Sequence, residues 1–217
     1  MKRELQLTAD GSHTLYLPEM DEHYHSVNGA IQESRHVFIE AGLNHHPTQQ
    51  LNLLEIGFGT GLNALLTLQE ATRTQRHIVY YAVEEYPLEQ DIIDQLNYGE
   101  ILSNHFNELH QAAWDQPVRI NDYFTLHKIL GDSNQIALPQ GIDVVYFDAF
   151  APDKQPEMWN QAIFDKLFRC MNAGGILTTY CAKGEVRRSM QKAGYSMERI
   201  PGPPGKREML RATKRLQ

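Results

Sequence analysis

Short apolar runs alternate with stretches of helical period along most of the chain. LNLLEIG (51–57) is nearly continuous in apolar residues, the pattern of a strand covered on both faces. Glycines follow, and then a helical stretch to about Ala71. HIVYYAVE (77–84) predicts a second buried strand, 87–97 a helix, and 100–117 mostly helix and loop. VRI and YFTLHKIL (118–130) are strand-like, and IDVVYFDAF (142–150) is another buried strand. Residues 160–171 carry Ile163, Phe164, Leu167 and Phe168 on one side of a predicted helix. GGILTTYCA is the next strand, 184–193 the next helix, and YSMERI and REMLRAT flank the turn PGPPGK. This alternation predicts an open α/β sheet with helices on both faces. The last two strands, with no helix between them, should form an antiparallel hairpin. Ligands in such sheets bind beyond the C-terminal strand ends.

The first 50 residues lack a single strong period. Leu5, Leu7, Leu15 and Leu17 flank Asp10-Gly11-Ser12, which suggests a small hairpin. A short helix is expected over 29–41, and Asn44–Gln50 reads as a polar linker. The expected division is an N-terminal extension, 1–50, and a main domain, 51–217.

Composition narrows the class. With 217 residues, 41% apolar and 22% charged, the chain has an ordinary soluble globular make-up. No apolar run is long enough to cross a membrane, and the opening MKRELQLTADGS lacks a signal-peptide core. Two cysteines, Cys170 and Cys181, make no CxxC pair, so a reducing cytoplasm is the expected compartment. His23 and His25 are too sparse for a metal site, and no metal is expected. The net charge of -7 argues at first against nucleic acid. However, residues 181–217 hold ten basic and three acidic side chains, a local +7, which leaves -14 for residues 1–180. A basic end on an acidic body can hold a polyanion locally.

The candidate chemistry lies at the strand ends. Glu55-Ile56-Gly57-Phe58-Gly59-Thr60-Gly61 is an ExGxGxG loop; a dinucleotide fingerprint would place its third glycine one position later. The loop looks like the first motif of class I S-adenosylmethionine-dependent methyltransferases. Glu84 ends the second strand, where a carboxylate can accept ribose hydroxyls; neighbouring Glu85 competes for that role, and either acid could instead cap a helix. Asp132, after Gly131, suits an adenine amino group or an Asx turn. Asp148 stands where Val144-Val145-Tyr146 opens into the cleft. Phe147, Phe150, Pro152, Pro156 and Trp159 could wall a flat group there.

Together, DGSHTLY, EHYHSVNGAIQESRHVFIEAGL, LLEIGFGTGLNALL, FDAFAPDKQPEMW, GGILTTYCAKGEVRRSMQKAGY and GKREML cover nearly the whole chain. They resemble the tRNA methyltransferase domain that completes 5-methylaminomethyl-2-thiouridine at the wobble position, often fused in bacteria to an FAD-dependent oxidase. No second dinucleotide loop is present, so the expected form is stand-alone, without FAD. The resemblance implies a class I methyltransferase fold with S-adenosylmethionine as methyl donor. It implies Glu55, Gly57, Gly59, Gly61, Glu84 and Asp132 toward the cofactor, and Asp148 toward the substrate amine. It places Tyr24, His25, Asn28, Gly29 and Gln32 near the site, with Phe150 and Pro152 in the wall. Lys183, Arg187, Arg188, Lys206 and Arg207 are the expected contacts to the phosphates of the tRNA anticodon stem-loop. Other enzymes would supply the aminomethyl and 2-thio groups. The competing expectations are a methyltransferase for a protein or small-molecule amine, and a non-catalytic cofactor-fold partner.

Overall fold

The computed structural model describes residues 2–215. Strands β1 (Glu4–Leu7), β2 (His13–Leu17) and β3 (Glu22–His23) form a small antiparallel sheet. Its first turn is the one predicted at Asp10-Gly11-Ser12, and Leu7 pairs with His13 across it. α1 (Ala30–Ser34) then runs into a π-helical segment, Arg35–Glu40, and a 3₁₀ turn, Leu43–His45.

The remaining elements are β4 (Gln50–Ile56), α2 (Leu62–Thr74), β5 (His77–Glu84), α3 (Gln90–Ile93), α4 (Tyr98–Ile101), α5 (His105–Gln111), β6 (Pro117–Arg119), β7 (Phe124–Leu130) and β8 (Ile142–Phe147). After them come a 3₁₀ turn at Pro156–Trp159, α6 (Gln161–Cys170), β9 (Met171–Thr179), α7 (Gly184–Ala193), β10 (Tyr195–Pro201) and β11 (Glu208–Lys214). The large sheet has eight strands in the order β10-β11-β9-β8-β4-β5-β7-β6. From β9 to β7 every neighbour is parallel. β6 pairs antiparallel with β7, and β11 antiparallel with β9 and β10.

The continuous apolar runs now have a physical reason. Successive strand residues point to opposite faces, and both faces are covered. Leu53, Val144 and Tyr146 pack on one side with α2, α5 and the π-helical segment. Leu54, Val145 and Phe147 pack on the other with α6 and α7. The segment before Leu51 has no core of its own: Ala30, Val37, Phe38 and Leu43 share the cluster of α2.

One expected element comes out differently. The helix predicted over 87–97 shrinks to a single turn, α3. Asn97 is committed elsewhere: its Oδ1 accepts the His13 N–H at 2.9 Å and its Nδ2 donates to Gly11 O at 2.9 Å, tying down the N-terminal hairpin. The polar linker before β4 is held by Arg76, whose guanidinium donates to the carbonyls of Leu43, His46 and Thr48 at 2.9, 2.9 and 2.8 Å.

Chain direction decides where a site can form. From β4 the strands step outward through β5 to β7; the chain then returns to β8 on the other side of β4 and continues to β9. The switch point therefore lies between β4 and β8, where the loops leaving the two strands diverge and open a crevice.

Candidate active site

At that switch point the loops after β4, β5, β7 and β8 enclose a cleft of about 300 Å³. Gly57, Gly59, Glu84, Glu85, Asp132 and Asp148 line it. The N-terminal segment closes it with Arg3, Leu17, Met20, Tyr24 and His25.

The glycine loop fits where side chains would not. Gly59 has φ +50°, and a Cβ there would sit 3.2 Å from Tyr24 Cδ1. The cover can therefore lie directly on the loop. Gly59 N–H donates to Glu84 Oε2 at 2.9 Å, and Tyr86 N–H to Glu84 Oε1 at 2.8 Å. One oxygen of Glu84 is thus fixed against the glycine loop and the other against the turn after β5, whereas Glu85 is exposed at the rim. Asp132 forms an Asx turn: its Oδ1 accepts the Asn134 N–H at 2.8 Å, and the residue still faces the cleft.

Asp148 is half-buried, with the Asn63 amide against it and the Glu33 charge acting on it. Burial first, and Glu33 second, push its pKa up to about 7, against the opposing effects of Asn63 and Lys206. Asn63 Nδ2 donates to Asp148 Oδ2 at 2.8 Å and to Glu55 Oε1 at 2.9 Å. Glu55 differs from expectation. It is fully buried beneath the cleft and lines none of it. Burial holds its carboxyl well above the usual range, and Oε2 has no partner among the described residues. It supports Asn63 from below and does not face a ligand.

A second cavity, about 350 Å³, adjoins the first. Asp148, Ala149, Phe150, Tyr24 and His25 line both. Glu22, Glu33, Tyr180 and Lys206 line the second alone. Tyr24 meets Phe150 edge to face with centroids 5.1 Å apart, forming a partition between the cavities. His25 is buried with Nε2 2.8 Å from Thr60 Oγ1. Burial lowers its pKa to about 4, so the ring is neutral near pH 7.

Several expected residues fall elsewhere. Asn28 and Gln32 are exposed and line neither cavity. The Asn28 side chain packs against Gly205 in the last turn, and Gln32 offers its backbone N–H to Asp10. Pro152 is buried but outside both cavities. Phe147 and Trp159 form an apolar cluster under the β8 loop, with Trp159 Nε1 donating to Phe150 O at 2.7 Å. Of the proposed wall, Phe150 alone reaches the cavities, because the β-strand period turns Phe147 into the core.

The basic end is partly spent on the protein itself. Lys206 turns inward to Glu33 at 2.9 Å, and Lys183 pairs with Asp153 at 2.7 Å. Arg199 pairs with Glu208, Arg211 with Glu198, and Lys214 Nζ binds the carbonyls of Phe168 and Met171. Among the described residues Arg187, Arg188 and Arg207 make no ion pair.

Asn63, Glu33, Tyr180 and Arg3 escaped the sequence reading. Asn63 had a signal, as a polar residue in the first turn of an otherwise apolar helix. Arg3 had none; its Nε reaches the Tyr24 hydroxyl at 3.2 Å from 21 residues away.

The cleft suits a cationic nucleoside cofactor. Glu84, Glu85, Asp132, Asp148 and Glu157 line it against Arg3, the one Lys or Arg among the described residues that does so, and the glycines leave room for close backbone approach. Among the described residues no group of three or more His, Cys, Asp or Glu could hold a metal, and no helix is long and apolar enough to cross a membrane.

Known proteins are similar in both sequence and shape. Residues 97–215 match the family described as S-adenosyl-L-methionine-dependent methyltransferase. The tRNA 5-methylaminomethyl-2-thiouridine biosynthesis bifunctional protein MnmC of Cupriavidus metallidurans is 33% identical over 229 residues, covering 94% of this chain and 32% of that protein. The chain thus spans about a third of that relative's length. The crystal structure of MNMC2 from Aquifex aeolicus superposes with a TM-score of 0.84 at 23% identity, covering 100% of this chain and 72% of that one. Spermidine synthase from Thermotoga maritima gives 0.56 at 10% identity, with the same coverage of both chains. The fold is that of a class I methyltransferase, and the chain belongs to the S-adenosyl-L-methionine-dependent methyltransferase family.

Proposed function

We propose that this methyltransferase transfers the methyl of S-adenosylmethionine to the nitrogen of 5-aminomethyl-2-thiouridine at the tRNA wobble position, giving 5-methylaminomethyl-2-thiouridine, S-adenosylhomocysteine and a proton. The observation that carries this reading is Asp148, which stands on both cavities at once. The first cavity takes the cofactor: the glycine loop and Glu84 hold its nucleoside and Asp132 its base side. The second takes the modified base.

S-adenosylmethionine supplies an activated methyl group on a sulfonium. The protein therefore needs to align the amine and control its proton. An alkylammonium has no lone pair and must lose a proton before it can attack. Asn63 occupies Asp148 Oδ2, which leaves Oδ1 for the incoming amine. With a pKa near 7, Asp148 is a carboxylate often enough at neutral pH to accept that proton, and basic enough to hold it. Tyr24 and Phe150 keep the two ligands in separate compartments that meet at Asp148.

Lys183 at the start of α7 is paired with Asp153, and Arg187 lies one helical turn along. Arg187, with Arg188 and Arg207, holds the phosphates of the anticodon stem-loop while the base enters. Similarity to the MnmC protein of Cupriavidus metallidurans supports this substrate. The test is a methyl-transfer assay on tRNA bearing 5-aminomethyl-2-thiouridine. Mass analysis of the wobble nucleoside should show one added methyl; no gain on correctly modified tRNA overturns the reading.

A further inference from the structure

The second cavity holds a cation of the protein's own. Lys206 Nζ lies 2.9 Å from Glu33 Oε1 and 3.9 Å from the centre of the Tyr180 ring. A carboxylate on one side and an aromatic face on the other is the arrangement that binds an alkylammonium. Glu33 is firmly held: its side chain is 10% exposed, and its Oε2 accepts the Ser26 N–H at 2.7 Å. Tyr180 is fixed by its hydroxyl, which donates to Ala149 O at 2.8 Å, one residue from Asp148. Lys206 is held less firmly. It sits in the turn between β10 and β11, and its side chain is 37% exposed and long enough to swing out toward solvent.

The carboxyl groups of Glu33 and Asp148 line one cavity, and Glu33 and Lys206 both act electrostatically on Asp148. Lys206 thus presents to Glu33, Tyr180 and Asp148 the same chemical group as a protonated aminomethyl substituent: a primary ammonium on a methylene. We propose that Glu33, Tyr180 and Asp148 form an ammonium-reading site, that Lys206 is its resting occupant, and that the substrate's ammonium replaces Lys206 when the base enters. The proposal rests on the reading of the second cavity as the substrate site. It also supplies a basis for selectivity. An unmodified uridine brings no cation, so displacing Lys206 would leave Glu33 buried and unpaired, a costly arrangement.

Two variants and two ligands test it. With 5-aminomethyluridine as a free nucleoside substrate, Glu33→Gln should raise KM at least tenfold, with a smaller fall in kcat. Lys206→Met removes the competitor and should lower KM at least threefold. Ethylammonium, as a competitive inhibitor, should bind Lys206→Met more tightly than the unaltered protein, and Glu33→Gln more weakly. S-adenosylmethionine affinity by calorimetry reports whether each variant folds. If Glu33→Gln does not fold, Lys206→Met with ethylammonium still decides. Unchanged or weaker ethylammonium inhibition in Lys206→Met means the pair is a structural latch between N-terminal segment and hairpin, and overturns the proposal. If the unaltered protein methylates no 5-aminomethyl substrate, the functional reading fails. Ethylammonium binding to Lys206→Met, followed by calorimetry, then still tests the ammonium site on its own.

Discussion

Asp148 shows what one residue position can and cannot reveal. An acid at the end of an apolar strand, followed by Ala149-Phe150-Ala151-Pro152, was enough to single it out in the sequence. Its neighbours were not legible, because Asn63 and Glu33 approach it from 85 and 115 positions away only after the chain folds. Those neighbours and burial set its pKa near 7, from which two outcomes follow. In the free enzyme kcat/KM should rise with pH through about 7, since the protonated form below that pH cannot accept the amine's proton. Asp148→Asn should lose at least a hundredfold in kcat, keep its affinity for S-adenosylmethionine, and lose that acid limb. A pH–rate profile with calorimetry checks both. Stability has the opposite sign. A carboxyl whose folded pKa exceeds its unfolded 3.8 favours the folded state while protonated, and that advantage fades as pH rises toward 7. Asp148→Asn should therefore gain thermal stability over the unaltered protein at pH 8, by a few degrees, and show little gain at pH 4. Equal melting temperatures at pH 8 would show that burial there costs nothing.

At the scale of elements, strands read better than helices. β5 and α7 fall on the residues predicted, 77–84 and 184–193, because a doubly covered strand and an amphipathic helix both write their period into sequence. The helix expected at 87–97 fails because Asn97 serves the hairpin turn, a contact without local trace. The π-helical widening at Arg35–Glu40 was equally invisible, since it leaves the apolar spacing of Val37, Phe38 and Ile39 intact. Long-range tethers of this kind can be tested singly. Arg76→Met leaves the carbonyls of Leu43, His46 and Thr48 without their donor and should cost about 3 kcal/mol, read as a fall in urea midpoint at constant m. The glycine loop tests contact between elements. Gly59→Ala puts a methyl 3.2 Å from Tyr24 on a backbone of φ +50° and should weaken S-adenosylmethionine binding by about tenfold. Tyr24→Leu in the same chain should restore part of that affinity, and no restoration would place the damage in the backbone alone.

Over the whole molecule the sequence recorded how much charge there is, but not what it is used for. The tail's +7 suggested a broad basic edge. Folding commits Lys183, Arg199, Lys206, Arg211 and Lys214 to partners within the protein, since hairpin pairing brings Arg199 opposite Leu210 beside Glu208 and Arg211 opposite Glu198. Outside those pairs remain Arg187, Arg188 and Lys192 on α7, Arg207 in the hairpin turn, and Arg215, of which Arg187, Arg188 and Arg207 are the proposed phosphate contacts. If these three contact phosphates of the anticodon stem-loop, each releases roughly one counterion on binding. Replacing all three by Gln should then weaken tRNA binding at low salt and flatten the plot of log Kd against log salt by about 2 to 3. Methyl transfer to the free nucleoside, which carries no phosphate, should change by less than twofold, because none of the three lines either cavity. A salt slope that survives the triple replacement would move the RNA face off α7 and the hairpin turn, and leave the two-cavity site to be approached from another side.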